Sequence, residues 1–294
     1  MITETSQQLI CPQHIINLQV SNALYEDSLV FPDYTANLVE DNIVSATITA
    51  KEGLILCGKQ WVNQAFLTSD KCATILWNFN DGDSIKSGTI ICQIVAKARS
   101  ILTSERTALN FLQTLSGTAT TVKKYVDATA STKVKIMDTR KTIPGLRYAQ
   151  KYAVSTAGGY NQRVGLYDGV LIKENHIASC GGIKKALQQA FLNTPKHIPI
   201  QIEVENTAQL SEALDNGAKL ILLDNMNPTQ IKECVSITNG RAELEASGNI
   251  DLTNVLEYAQ TGVNRISIGG LTKNITAIDL SLRIYSSSLN HGLC

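Results

Sequence analysis

Asp138, Arg140 and Lys141, then Lys173, then Glu203 and Glu205, then Asp224 and Asn225, then Glu245 and Ser247, and finally Gly269 and Gly270 fall at or just past the ends of short apolar runs. Arg163 joins them from the loop GGYNQRVGLYDG. Four cations in this set suit a substrate with more than one anionic group, because arginine grips a carboxylate or phosphate with two parallel hydrogen bonds. The carboxylates have two chemical uses: holding magnesium on a pyrophosphate, or stabilising a cationic, oxocarbenium-like transition state. A plainer use is pairing with the neighbouring Lys and Arg. SGN (247–249) and GG (269–270) let backbone N–H groups approach an anion such as a phosphate. Lys173, closing the apolar run VLIK, also has the setting of a Schiff-base lysine. His176 in KENH reads either as an acid–base group or, more plainly, as a helix-start residue.

These residues need a frame. The runs KVKIMD (133–138), DGVLIK (168–173), IQIEVE (200–205), KLILLD (219–224), AELEAS (242–247) and NRISIGG (264–270) recur at roughly 20–35 residue intervals with helical stretches between them. This is the βα repeat of a parallel sheet. Six strands, with one more expected in 150–160, suggest a barrel short of the usual eight, whose chemistry sits at the strands' C-terminal ends. No GxGxxG follows the first strand, which disfavours a dinucleotide-binding fold. The first third reads as mixed α/β: a strand pair in 45–58, a short helix at Trp61–Leu67, β structure at Ala73–Phe79, and turn-flanked strands in 80–98. A carrier-domain hairpin would need a lysine at its tip, and Lys86 lacks a flanking motif. Residues 104–129 have helical periodicity, with Ser104 as the expected N-cap and Gly117 as an expected break.

Composition narrows the function further. In 294 residues, 26 Lys+Arg balance 26 Asp+Glu, which argues against a broad nucleic-acid surface or a polybasic membrane anchor. Hydrophobic residues at 44% supply a core, and aromatics at 5% disfavour a base-stacking platform. The seven cysteines are scattered, odd in number and without a CxxC pair, so reduced thiols in a cytoplasmic protein are expected. The N-terminal MITETSQQLI has no signal-peptide pattern, and no apolar run approaches the length of a membrane span.

SERTALNFLQTLSGTAT, MDTRKTIPGLRYAQKYAV, GGYNQRVGLYDGVLIKENHI, IEVEN, LILLDNM, LEASGNI and ISIGGLT occur in the order found in the quinolinate phosphoribosyltransferase family. The chain resembles that family from about Val20 to about Leu282, most specifically through DTRKT-PGLR and LIKENH. The resemblance implies an N-terminal α/β sandwich domain (1–112), an open seven-stranded α/β barrel (113–272) and a C-terminal helical segment (273–294) packing back on the first domain. It implies a homodimer and transfer of phosphoribose from phosphoribosyl pyrophosphate to quinolinate, with magnesium and loss of carbon dioxide. By the family's pattern Arg140, Gln162, Arg163 and Lys173 bind quinolinate, with Arg106 reaching in from the partner subunit. Lys141 meets phosphoribosyl pyrophosphate, Glu203 and Asp224 face its ribose and the magnesium, and Ser247, Gly248 and Gly269 cradle the 5-phosphate.

The sequence departs from that pattern at three places. Gln162 stands where the family usually has His, Asn249 where it has a second Gly, and Lys273-Asn274 where it has His-Ser. Glutamine keeps a hydrogen-bond donor but carries no proton to exchange. A relative acting on nicotinate or another acid, a Schiff-base aldolase using Lys173, and an inactive phosphoribosyl pyrophosphate sensor are the competing readings.

Overall fold

The computed structural model describes residues 9–29 and 31–285. In chain order the elements are α1 (Gln13–Ser28), β1 (Ile43–Ala50), β2 (Leu54–Ile55), α2 (Lys59–Ser69), β3 (Thr74–Trp77), β4 (Ser84–Ile85), β5 (Ile90–Lys97) and α3 (Ala98–Ala128). Then come β6 (Lys135–Met137), α4 (Arg147–Thr156), β7 (Val170–Ile172), α5 (Glu174–Cys180), α6 (Ile183–Asn193), β8 (Ile200–Val204), α7 (Thr207–Asp215) and β9 (Leu220–Asp224). The last are α8 (Pro228–Thr238), β10 (Glu243–Ser247), α9 (Val255–Ala259), β11 (Arg265–Ser267), α10 (Gly270–Lys273) and β12 (Leu280–Tyr285). They form two compact units. Of the described residues, one holds those of 9–121, 144–157 and 275–285; the other holds 122–143 and 158–274.

The first unit is built on an antiparallel sheet of order β12-β1-β5-β3. Alternation buries Ala46, Ile48 and Ala50 of β1, and α3 buries Leu109, Leu112 and Leu115 on one face. The segment expected to be helical after residue 273 is instead a strand over Leu280–Tyr285, pairing antiparallel with β1 from Ala50↔Leu280 to Ser45↔Tyr285. Its alternating Leu280-Ser-Leu282-Arg-Ile284 pattern suits a sheet edge, and β1 has an open side to receive it. Residues 286–294, including Cys294, lie outside the described residues.

α3 also differs from expectation. It starts at Ala98, so Ser104 is not a cap: it is fully buried in the helix and its hydroxyl donates to the Ala65 carbonyl. Nor does Gly117 break the helix, which runs unbroken through residue 112 as well. A Cβ at Gly117 would lie 2.2 Å from the Thr276 carbonyl oxygen, so the glycine admits a crossing backbone.

The second unit contains a parallel sheet of order β6-β11-β10-β9-β8-β7. Each of the six repeating apolar runs supplies one strand. The seventh is reduced to one parallel bridge, Met137↔Tyr160, because 147–156 is helix α4 rather than strand. The sheet is thus an open barrel, with Tyr160 at one edge and β7 at the other. Residues paired across a parallel sheet share a face. Glu203, Leu222, Glu245 and Arg265 are in register across β8 to β11, and Asp224, Ser247 and Ser267 form the level two residues on. Between them, Val204, Leu223, Ala246 and Ile266 are buried on the opposite face.

Candidate active site

The inward-facing levels open into a cavity of about 720 Å³. Its lining includes Arg140, Lys141, Gln162, Arg163, Lys173, Glu203, Asp224, Ser247, Gly248 and Gly269. Of the residues the family resemblance assigns to the site, only Arg106 is absent from that lining; it is exposed on α3. Glu205 also stays out, at the exposed end of β8, where its backbone N–H donates to Gln209 Oε1 at 2.8 Å.

Local chemistry places each cation. Arg140 and Lys141 follow β6, and the Lys141 backbone is held by Thr139 Oγ1 (3.0 Å) and by the Thr272 hydroxyl, which donates to its carbonyl (2.8 Å). Gly269 leaves room for the Lys141 side chain: a Cβ there would sit 2.9 Å from Lys141 Cδ. Arg163 is braced by donating to the Gly169 carbonyl at 2.9 Å. Burial, and next the charge of Arg140, lower the affinity of its guanidinium for a proton. Arg140 Nε is buried without a hydrogen-bond partner. Two guanidiniums that oppose each other, one with an unmet donor, form a receptor for a doubly charged anion.

Lys173 leaves β7 at the start of α5, where its backbone N–H donates to His176 Nδ1 at 3.0 Å. That bond gives His176 a helix-start role, as its plainer reading expected. The Lys173 ammonium pairs with Glu203 Oε2 at 3.2 Å. Burial raises the Glu203 pKa above the usual carboxylate range, Asp224 and Glu174 add to the rise, and Lys173 opposes it. Asp224 accepts from Asn225 Nδ2 at 2.7 Å, and Asn225 Oδ1 receives Asn249 Nδ2 at 3.4 Å. Asn249, at φ +52°, thus keeps the left-handed turn that glycine would otherwise serve. Gly248, at φ +97°, is required as glycine: a Cβ would lie 2.2 Å from Asn225 Oδ1.

Asp138, read from the sequence among the strand-end charges, is fully buried and structural: it accepts from Asn161 Nδ2 (2.6 Å) and Gln162 N (2.8 Å). Asn225, read from the sequence at a strand end, lines the cavity too, and so do Tyr125, Thr139 and Asp251, which sequence reasoning did not single out. Tyr125 comes from α3, where apolar periodicity marks it as core. Lys273 and Asn274 lie at the cavity rim formed by α10.

An open α/β barrel with cations and paired carboxylates at its C-terminal mouth defines an enzyme for polyanionic substrates. The quinolinate phosphoribosyl transferase C-terminal domain matches residues 118–283, and the corresponding N-terminal domain matches residues 33–116. The chain is 38% identical over 273 residues to a carboxylating nicotinate-nucleotide pyrophosphorylase of Mycobacterium leprae, covering 90% of this chain and 95% of that one. It is 37% identical over 293 residues to a decarboxylating quinolinate phosphoribosyltransferase of Nicotiana tabacum, covering 93% and 83%. The solved structure of the nicotinate-nucleotide pyrophosphorylase from Francisella tularensis superposes with a TM-score of 0.91 at 43% identity, covering 96% of this chain and 100% of that one. The chain belongs to the quinolinate phosphoribosyltransferase family.

Proposed function

We propose that this protein transfers phosphoribose from phosphoribosyl pyrophosphate to quinolinate, giving nicotinate mononucleotide, pyrophosphate and carbon dioxide for de novo NAD synthesis. The observation that carries this reading is the Arg140–Arg163 pair, with its unmet buried donor, in one cavity with Glu203 and Asp224. Arg140, Arg163 and Lys173 hold the two quinolinate carboxylates, and Gln162 hydrogen-bonds beside them. Lys141 meets phosphoribosyl pyrophosphate, and Ser247, Gly248, Gly269 and Lys273 receive its 5-phosphate. The pyridine nitrogen's lone pair forms the bond to the anomeric carbon as the bond to pyrophosphate breaks. Glu203 and Asp224 face the positive charge that develops on the ribose. The resulting pyridinium accepts the electron pair left when the adjacent carboxylate departs as carbon dioxide, and a proton then fills the vacated carbon. The protein mainly supplies orientation and charge.

Glu203 and Asp224 also fit magnesium. They are two carboxylates on adjacent strands that line one cavity. That suits an ion held mostly by pyrophosphate oxygens and water. When bound, magnesium supplies charge neutralisation on the leaving pyrophosphate.

The reading extends to assembly. Arg106 is exposed and outside its own chain's cavity, and the same unit exposes Tyr25, Phe31, Tyr34 and Leu38. Both features support a homodimer in which Arg106 completes the partner's quinolinate site. The balanced charge and scattered thiols suit a cytoplasmic enzyme. No helix among the described residues is long and apolar enough to cross a membrane.

Release of carbon dioxide and pyrophosphate from quinolinate, phosphoribosyl pyrophosphate and magnesium tests the reaction, with nicotinate run in parallel. Equal release of both products with quinolinate alone is expected. Gln162 favours a second reading, transfer to nicotinate, and pyrophosphate release with nicotinate alone would establish that instead.

A further inference from the structure

The reaction scheme leaves a buried carboxylate of the cavity wall unused. Glu245 stands within β10, is 1% exposed and lines the cavity. Its Oε2 accepts from the side-chain amides of Gln162 and Gln201, the latter at 3.0 Å. Its Oε1 is buried without a hydrogen-bond partner. An ionised carboxylate only accepts, so each amide must turn its NH2 toward Glu245 and its carbonyl away. The Gln162 backbone is fixed as well, because its N–H donates to the fully buried Asp138 at 2.8 Å. Gln162 therefore sits on a loop yet is pinned at both ends, beside Arg163 in the cavity wall.

We propose that Glu245 is a positioning residue for the acid substrate: it fixes the Gln162 carboxamide in one orientation, making position 162 an uncharged, non-titrating contact for the bound dicarboxylate. The proposal rests on the quinolinate reading above. A free glutamine side chain must lose rotamer freedom when substrate binds, whereas one already held by a buried anion has lost it on folding. Removing the anchor thus weakens quinolinate binding and leaves the phosphoribosyl pyrophosphate end unaffected.

Glu245→Gln keeps the volume and removes the charge. It is expected to raise the KM for quinolinate about tenfold or more, with the KM for phosphoribosyl pyrophosphate within about twofold of wild type. Gln162→Asn leaves Glu245 in place but shortens the amide by a methylene, and gives the same selective loss. A folded Glu245→Gln protein with an unchanged quinolinate KM, or equal loss toward both substrates, overturns the proposal.

A readout without substrate separates this from failure of the quinolinate reading. Gln162→His places an imidazole where Asp138, Arg140, Arg163, Lys173 and Glu203 act equally in the presence or absence of Glu245. Its titration, followed by NMR, is expected about one pH unit or more higher than in Gln162→His with Glu245→Gln. Identical titrations would show that Glu245 does not engage position 162. Wild-type inactivity with quinolinate beside a clear titration difference would instead reject the substrate while retaining the contact.

Discussion

Arg140 carries the most exposed prediction at the scale of single residues. An anion meets its unpartnered Nε and relieves its opposition to Arg163, so Arg140→Ala should weaken quinolinate binding about a hundredfold while phosphoribosyl pyrophosphate binding changes little. Titration of each substrate by calorimetry checks this, and equal loss of both would reject the assignment. Glu203 predicts a pH dependence. Burial raises its pKa, so it takes up a proton at a pH above the ordinary glutamate value of about 4.3. The ionised form is the one that faces developing positive charge, so kcat/KM should fall as pH drops through that raised value. Glu203→Gln should lose this acid limb and about a hundredfold in kcat, measured by steady-state rates across pH. The substrate-free protein shows the opposite sign: stability from a raised carboxyl is present below its unfolded value and lost as pH rises through the folded one. The strand-end charges were legible because a βα repeat makes its C-terminal ends predictable. The clamp on Gln162 was not, since it depends on which side chains a register brings level, and spacing alone does not supply that.

Elements show the same division between local and long-range information. All six apolar runs became barrel strands, and α7 and α8 start at Asn206 and Asn227, each accepting from the backbone three residues on. Such signals are contained within a few residues. The behaviour of Gly117 is not, because the backbone at Thr276 that requires it lies far along the chain. The same holds for β12, whose short alternating run becomes a strand only because β1 offers an edge. Gly117 therefore separates the two kinds of reasoning. On helix propensity alone, Gly→Ala in a helix interior stabilises by roughly 1 kcal/mol. Here the added methyl meets a carbonyl oxygen at 2.2 Å, and Gly117→Ala should destabilise by about 2 kcal/mol in urea unfolding. A stabilised variant would mean that the 276–277 segment yields at little cost.

At the scale of the whole molecule, the family resemblance implies a site that one chain alone leaves incomplete. The cavity gathers Arg140, Arg163 and Lys173, yet Arg106 sits exposed on α3, outside that lining. A lone exposed arginine in a helix is ordinarily solvated. The reading that gives it work is completion of a partner's site, and mixing two inactive variants tests this. Arg106→Ala subunits keep Lys173, and Lys173→Ala subunits keep Arg106. If Arg106 acts across the interface, each mixed dimer holds one site with both residues intact and one with neither. Random reassortment makes about half of the dimers mixed, so about a quarter of wild-type activity should return. If each site is built within one chain, every site in the mixture still lacks one residue, and activity stays at the level of the separate variants. Because both outcomes use the same two proteins, and mass spectrometry of the native complex counts the mixed dimers, recovery reports which chain supplies the arginine rather than how well either variant folds.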